Sequence, residues 1–339
     1  MRLGPALEIV APTDIGEKEA LRLCGQLLDD RHYDLLLSET GRVYTPTYEP
    51  LCQLYKGYLP KEFLNRIRLI LRRAASQSVA SGNRVDAAGA GRGLRRRRDG
   101  SVSKMSGVPR LQDMSDEDYI RLKSARDGMV GYNADASRGG QKYPCRLTSW
   151  TQRAHPAEWR LMCELAELVG QVFGSSFAGE QWIAQARKVS ASRRDYVIKT
   201  SKVLTPFTTI TVNRSWRTAA HVDSGDLKQG FGMMCCLGDF EGCDLVFPRF
   251  RTAVRYREGD ILSADVANQV HGNTPLLNPD GSVPELGNEP ERLVCVFYYQ
   301  EKVEHCQSPE EEMGIVNTWV RGKSSRGSRK KTASIKKKN

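Results

Sequence analysis

Five histidines are spread over 339 residues, and one of them, His221, stands two positions before an acid in the run HVDSGD. An imidazole and a carboxylate separated by one residue can reach a common point from a strand end, because alternate side chains leave the same face. A second imidazole, His271 in VHGNTP, follows fifty residues later. If the fold returns the chain beside its starting point, His221, Asp223 and His271 hold one metal ion through two nitrogens and one oxygen on a single octahedral face. That donor set leaves three positions open and is the one used by non-haem Fe(II) oxygenases. His-x-Asp alone recurs in polar loops, and each histidine alone reads as a satisfied strand-end residue. The distal histidine and the cation that follows it set this case apart.

Three open positions accommodate a bidentate 2-oxo acid together with O2. The co-substrate 2-oxoglutarate has a second carboxylate that must be met inside the fold, and Arg292 opens the run RLVCVFYYQ one strand after His271. The planar guanidinium fork matches a carboxylate with two parallel hydrogen bonds. Arg217, four residues before His221, is the second candidate for this anchor.

These residues need strands to position them. PFTTITVNRSWRTAAHV, GMMCCLGDF, CDLVFPRF, AVRYREGDILSADV and RLVCVFYYQ are short strand-like runs punctuated by Gly, Asp and Pro. Consecutive strands without helices between them predict paired antiparallel sheets, here an α+β fold with a double-stranded β-helix (jelly-roll, cupin-like) core and flanking helices. In the first run, strict alternation puts Asn213, Ser215, Arg217, Ala219 and His221 on one face, with Asp223 close to it. Helices are expected in PKEFLNRIRLILRRAA, where Phe63, Ile67, Ile70 and Leu71 follow helical spacing, and in HPAEWRLMCELAELVGQVF, opened by Pro156 with His155 in a structural role before it. SDEDYIRLKSA reads as a helix start capped by Ser115, and Ser308 with Glu311 has capping-box spacing for a short terminal helix.

Composition sets the surroundings. The net charge is +11, and the last nineteen residues carry nine Lys or Arg and no acid. A second cluster, Arg92 and Arg95 to Arg98, lies in a Gly/Ser/Ala-rich stretch that cannot build an apolar face. Both read as basic arms suited to phosphate backbones or nuclear import, or as solubilising segments. The expected organisation is a helical and mixed segment over 1–76 packing on the core, a disordered Arg-rich loop over 77–113, the jelly-roll domain over 114–320 and a disordered basic tail over 321–339. No apolar run reaches 18 residues and no leader pattern opens the chain, so the expectation is an intracellular monomer without membrane contact, nuclear in a eukaryote. The nine cysteines form no Cys-x-x-Cys pair and read as reduced core residues, with Cys235 and Cys236 on opposite faces of one strand.

The run from TTITVNRSWRTAAHVDSGD through VANQVHGNTP, with ERLVCVFYY after it, resembles the catalytic core of the TET/JBP family, the Fe(II)/2-oxoglutarate oxygenases that oxidise the methyl group of 5-methylcytosine or thymine in nucleic acid. GYNADASRGGQKYPCRLTSWT resembles the lead-in to that core, so the likeness spans about residues 130–302. It implies that His221, Asp223 and His271 bind iron and that Arg292 anchors 2-oxoglutarate, although LLNPDGSVPELGNEPE lengthens the usual connection between His271 and Arg292. The resemblance also places Asp226 against the Watson–Crick edge of the target base. A carboxylate acceptor there suits the N4 amino group of cytosine, while a turn role for Asp226 in SGD is the alternative. Asn213, Arg146 and Thr148 are further substrate-side candidates. The implied partner is methylated duplex DNA, whose target base must leave the stack to reach the metal. Two other readings fit the same residues: an oxygenase of this fold acting on a protein side chain or small metabolite, and a non-catalytic DNA-binding module.

Overall fold

Alternation of apolar residues between 209 and 298 becomes the centre of a nine-stranded sheet in a computed structural model, which describes residues 7–75, 94–96, 102–104, 126–134, 145–192, 194–215, 217–285 and 287–314. In chain order the strands are β1 (Leu7–Val10), β2 (Leu35–Leu37), β3 (Gly41–Tyr44), β4 (Pro50–Tyr55), β5 (Leu94–Arg96), β6 (Val102–Lys104), β7 (Arg126–Ala134), β8 (Cys145–Leu147) and β9 (Thr209–Arg214). They continue with β10 (Gly232–Leu237), β11 (Glu241–Gly242), β12 (Leu245–Phe247), β13 (Thr252–Val254), β14 (Ile261–Ala264), β15 (Gly272–Asn273), β16 (Leu276–Leu277) and β17 (Leu293–Tyr298). The major sheet has the order β1-β3-β4-β14-β10-β17-β9-β7-β8, and a four-stranded minor sheet, β15-β12-β13-β2, faces it. This is the expected double-stranded β-helix.

Period 2 divides each central strand between two cores. Met233, Cys235 and Leu237 of β10 pack with Ile210, Val212, Cys295 and Phe297 beneath two helices, α2 (Lys61–Ala75) and α4 (Pro156–Gly174). Met234 and Cys236 point the other way, into the barrel, where they meet Leu245, Phe247 and Val254 of the minor sheet. The helices bury the stripes that their spacing predicts: Ile67, Ile70 and Leu71 in α2, and Met162, Leu165, Ala166 and Val169 in α4. His155 caps α4, its Nδ1 accepting from Ala157 N at 3.2 Å, with Pro156 in the first turn. Gly128 lets α2 seat directly on β7, since a Cβ there would stand 1.8 Å from the Ala74 carbonyl oxygen. Among the described residues, α3 (Ser149–Arg153) and α5 (Gly179–Ser192) join this layer, whereas Ala20 of α1 (Glu17–Arg22) packs with Val246 and Ala253 of the minor sheet.

Several expectations are revised. The N-terminal segment does more than pack on the core: β1, β3 and β4 extend the major sheet and β2 closes the minor one. The long run through His221 is not one strand. β9 ends at Arg214, and Ser215 takes φ 48°, which breaks the alternation before Arg217 is reached. The cysteines are not all reduced, because Cys145 of β8 and Cys306 form a disulfide with Cα atoms 5.8 Å apart; the other seven are free thiols. Within the 77–113 stretch, β5 and β6 pair antiparallel. The rest of that stretch, the SDEDYIRLKSA helix and the basic tail lie outside the described residues. Among the described residues no helix is long and apolar enough to cross a membrane.

Candidate metal and co-substrate site

The two histidines approach by backbone pairing at the open end of the barrel. His221 and His271 form an antiparallel bridge, and Asp223 N donates to Val266 O at 3.0 Å, just beyond the end of β14. Gly272 permits the approach, since a Cβ there would lie 2.9 Å from Ala220 N. The result brings His221 Nε2 to 3.4 Å from Asp223 Oδ1 and His271 Nε2 to 3.7 Å from Asp223 Oδ2. All three ligand atoms lie within 4.8 Å of one another.

The outer nitrogens fix the tautomer. His221 Nδ1 is 2.7 Å from Ala219 O, and His271 Nδ1 is 3.0 Å from Gln269 O, in each case the carbonyl two residues back. A carbonyl only accepts, so each Nδ1 carries a proton and each Nε2 is the nitrogen that faces Asp223. Burial pushes the His271 pKa down to about 4, with His221 adding to the shift and Asp223 opposing it. A neutral imidazole is the form that binds a metal. The donor set and its spacing, with a neutral His271, therefore fit ferrous iron.

Asp226 stands beside this group. It is 8% exposed, its N–H donates to Asp223 O at 3.0 Å, and it bridges to Gln300 at the end of β17. Its Oδ2 is buried without a hydrogen-bond partner among the described residues. Burial raises its pKa well above the ordinary carboxylate value, and the Asp223 charge raises it further.

Inside the barrel, Arg292 is 3% exposed and donates through Nη2 to Tyr256 Oη at 2.6 Å. Its guanidinium carbon lies 5.4 Å from the centroids of both Phe240 and Tyr256. A path joins it to the metal ligands: Asn273, two residues after His271, donates its side-chain amide to Cys243 O at 3.1 Å, and Arg292 lies close enough to the Cys243 thiol to act on it electrostatically. A buried cation at the end of such a path is suited to the distal carboxylate of 2-oxoglutarate. Sequence reasoning missed Tyr256 and Phe240. The alternation in RYREGD carries Tyr256 into the barrel, but nothing local shows that it meets an arginine 36 residues away.

The other candidates have different surroundings. Arg217 donates to Leu28 O at 2.6 Å and Asn273 O at 3.4 Å, so it braces the N-terminal loop against β15 rather than sharing a strand face with His221. Asn213 lies opposite Val294 in register, and because Ile210 and Val212 pack under the helices, Asn213 belongs to the barrel-interior face. Arg146 pairs with Asn133 at the sheet edge. Thr148 is buried and caps α3, its hydroxyl 2.9 Å from that of Thr151.

Known proteins resemble this chain in sequence and in fold. The Tet_JBP family, described as the oxygenase domain of the 2OGFeDO superfamily, matches residues 128–301, more than half of the chain. The bifunctional helicase and thymine dioxygenase JBP2 of Leishmania infantum is 32% identical over 156 residues, covering 45% of this chain and 13% of that protein. The thymine dioxygenase JBP1 of Crithidia fasciculata is 32% identical over 179 residues, covering 52% of this chain and 20% of that protein. The matched region thus spans a fifth or less of these relatives. The solved structure of NgTET1 in complex with 5mC DNA superposes with a TM-score of 0.50 at 10% identity, covering 90% of this chain and all of that one, which supports the fold. Sequence match, fold and triad agree: the chain belongs to the Tet_JBP family of oxygenase domains in the 2OGFeDO superfamily, whose members imply Fe(II), 2-oxoglutarate and O2 as cofactor and co-substrates.

Proposed function

We propose that the chain oxidises the C5-methyl group of a pyrimidine in duplex DNA, with 5-methylcytosine as the first substrate. The observation that carries this reading is the Asp226 carboxyl, buried three residues from a metal ligand with Oδ2 lacking a protein partner among the described residues. A buried polar atom in that state costs free energy unless a ligand completes it. The Watson–Crick edge of a base is such a ligand, and the N4 amino group of cytosine is a donor to a carboxyl oxygen.

Iron with 2-oxoglutarate and O2, when bound, supplies the oxidising power that converts a methyl group to a hydroxymethyl group. The protein's own residues do the placing. His221 and His271 present their Nε2 atoms and Asp223 a carboxylate, while Arg292, steadied by Tyr256, meets the distal carboxylate of the co-substrate. Asp226 then holds the extruded base by its edge. Flipping costs a few kcal/mol, which pocket and phosphate contacts offset.

Thymine is the second reading, favoured by the names of the JBP1 and JBP2 relatives. A neutral carboxyl at Asp226 would both donate and accept and so match either pyrimidine edge. Mass spectrometry of nucleosides after incubation with iron and 2-oxoglutarate separates these cases. Duplexes with and without 5-methylcytosine should give 5-hydroxymethylcytosine only from the methylated strand. Hydroxymethyluracil from both would establish thymine instead. Succinate release with no oxidised nucleoside would move the substrate to a protein side chain or metabolite.

A further inference from the structure

The β3–β4 hairpin ends in a tyrosine that no packing argument explains. Tyr48 is 73% exposed, and it adopts φ 63°, a left-handed conformation that bulky side chains seldom take. The turn fixes it there: Thr45 N donates to Glu49 O at 2.8 Å, Tyr48 N donates to Thr45 O at 2.9 Å, and Thr45 Oγ1 accepts from Glu49 N at 3.1 Å. Four residues earlier, Tyr44 packs edge-on against Phe177, so one aromatic of this hairpin is packed and the other is exposed.

Two independent routes place the tip at the metal end of the barrel. Along the major sheet, Leu51 O accepts from Asp265 N at 3.0 Å, and the next residue, Val266, accepts from Asp223 N at 3.0 Å. Across the seam between the sheets, Tyr44 O accepts from Ala11 N at 2.8 Å, and three residues on Asp14 pairs at 2.9 Å with Arg249, two residues after Phe247, whose ring centroid is 6.3 Å from that of His271. An exposed cation shares this rim, since Lys228 Nζ donates to Ala267 O beside the same turn.

We propose that Tyr48 is a nucleic-acid contact that stacks on a base next to the extruded nucleotide, with Lys228 available to a neighbouring phosphate. This rests on the reading that the substrate is a base in DNA. An extruded base leaves its neighbours with exposed faces, and an outward aromatic at the mouth can cover one of them whatever its identity. At 73% exposure the ring is available to a base.

The test uses the full chain with iron and 2-oxoglutarate and a methylated duplex carrying 2-aminopurine beside the target. Tyr48→Ala should weaken duplex binding about tenfold, within what loss of one base–aromatic stack removes, and should alter the 2-aminopurine signal on binding. Tyr48→Phe should behave as wild type, because the ring and not the hydroxyl stacks. Iron content and the anaerobic absorption of the iron–2-oxoglutarate complex should be unchanged in both. Tyr48→Ala binding within twofold of wild type overturns the assignment, as does an equal loss in Tyr48→Phe. If the wild-type protein oxidises the duplex and Tyr48→Ala matches it, only the Tyr48 assignment falls. If the wild type neither binds nor oxidises duplex DNA, the base-oxidation reading fails and takes Tyr48 with it.

Discussion

His221 and His271 exchange both backbone hydrogen bonds, His221 N to His271 O at 2.8 Å and His271 N to His221 O at 2.9 Å, and their ring centroids lie 4.3 Å apart. The two nitrogen ligands are therefore brought together by main-chain pairing, before any ion is considered. Preorganisation of this kind means that the metal need not assemble its own site.

Asp223→Ala should abolish turnover and reduce iron stoichiometry to near zero while the far-ultraviolet circular dichroism stays that of wild type, because the histidine bridge survives the change. Loss of the fold in step with loss of iron would show that the site depends on the metal for its shape.

Gly272→Ala tests the close approach itself. The new Cβ would press on Ala220 N and on the Ala219 carbonyl carbon, 2.9 and 3.0 Å away. Iron affinity should fall about tenfold, as for other changes that misalign ligands through their supports. An iron titration at constant 2-oxoglutarate reads this, and an unchanged affinity would mean that the bridge relaxes freely.

Tyr256→Phe should raise the 2-oxoglutarate requirement about tenfold, the usual effect of losing one hydrogen bond to a charged group, with iron binding intact. Arg292→Lys should do so more severely, because a point charge cannot replace the fork. If both leave the requirement unchanged, the anchor lies elsewhere and Arg217 becomes the residue to test.

The iron-free protein should lose stability on acidification. With a folded pKa of about 4 against an ordinary 6.5, His271 binds its proton more readily in the unfolded chain. Its contribution is therefore complete above about pH 6.5, declines as pH falls toward about 4, and amounts at most to about 3 kcal/mol. Urea midpoints measured across that window should fall less steeply in His271→Gln.

Deleting residues 321–339 removes nine positive charges. The slope of log affinity for duplex DNA against log salt should become shallower, by about 0.9 for each phosphate that the tail had neutralised. An unaltered slope would assign the tail to another purpose.

Much of the site was legible because its parts are local or strictly periodic. His221 and Asp223 are two residues apart, alternation in GMMCCLGDF separates Cys235 from Cys236 as expected, and Ser308 and Glu311 exchange the capping hydrogen bonds that their spacing predicts. What stayed hidden depends on distant partners or on a single backbone angle. The turn at Ser215 ends the alternation that would have aligned Arg217 with His221, and no propensity signals it. YTPTYEPLCQLY reads as mixed because β3 and β4 acquire their meaning only beside β14. Tyr256 reaches Arg292 only through long-range pairing, and Cys145 meets Cys306 in the same way.

That last partnership closes the chain between residues 145 and 306 into a covalent ring. His221, Asp223, Asp226, His271 and Arg292 all belong to the ring, whereas the hairpin bearing Tyr48 is outside it. A nick at a single peptide bond inside the loop leaves every ligand on one connected molecule, while a cut between α2 and β7 divides the ring from the strands that border it. The candidate metal site and the proposed DNA-stacking hairpin are thus separable by one proteolytic event on one side of Cys145 and inseparable by one on the other.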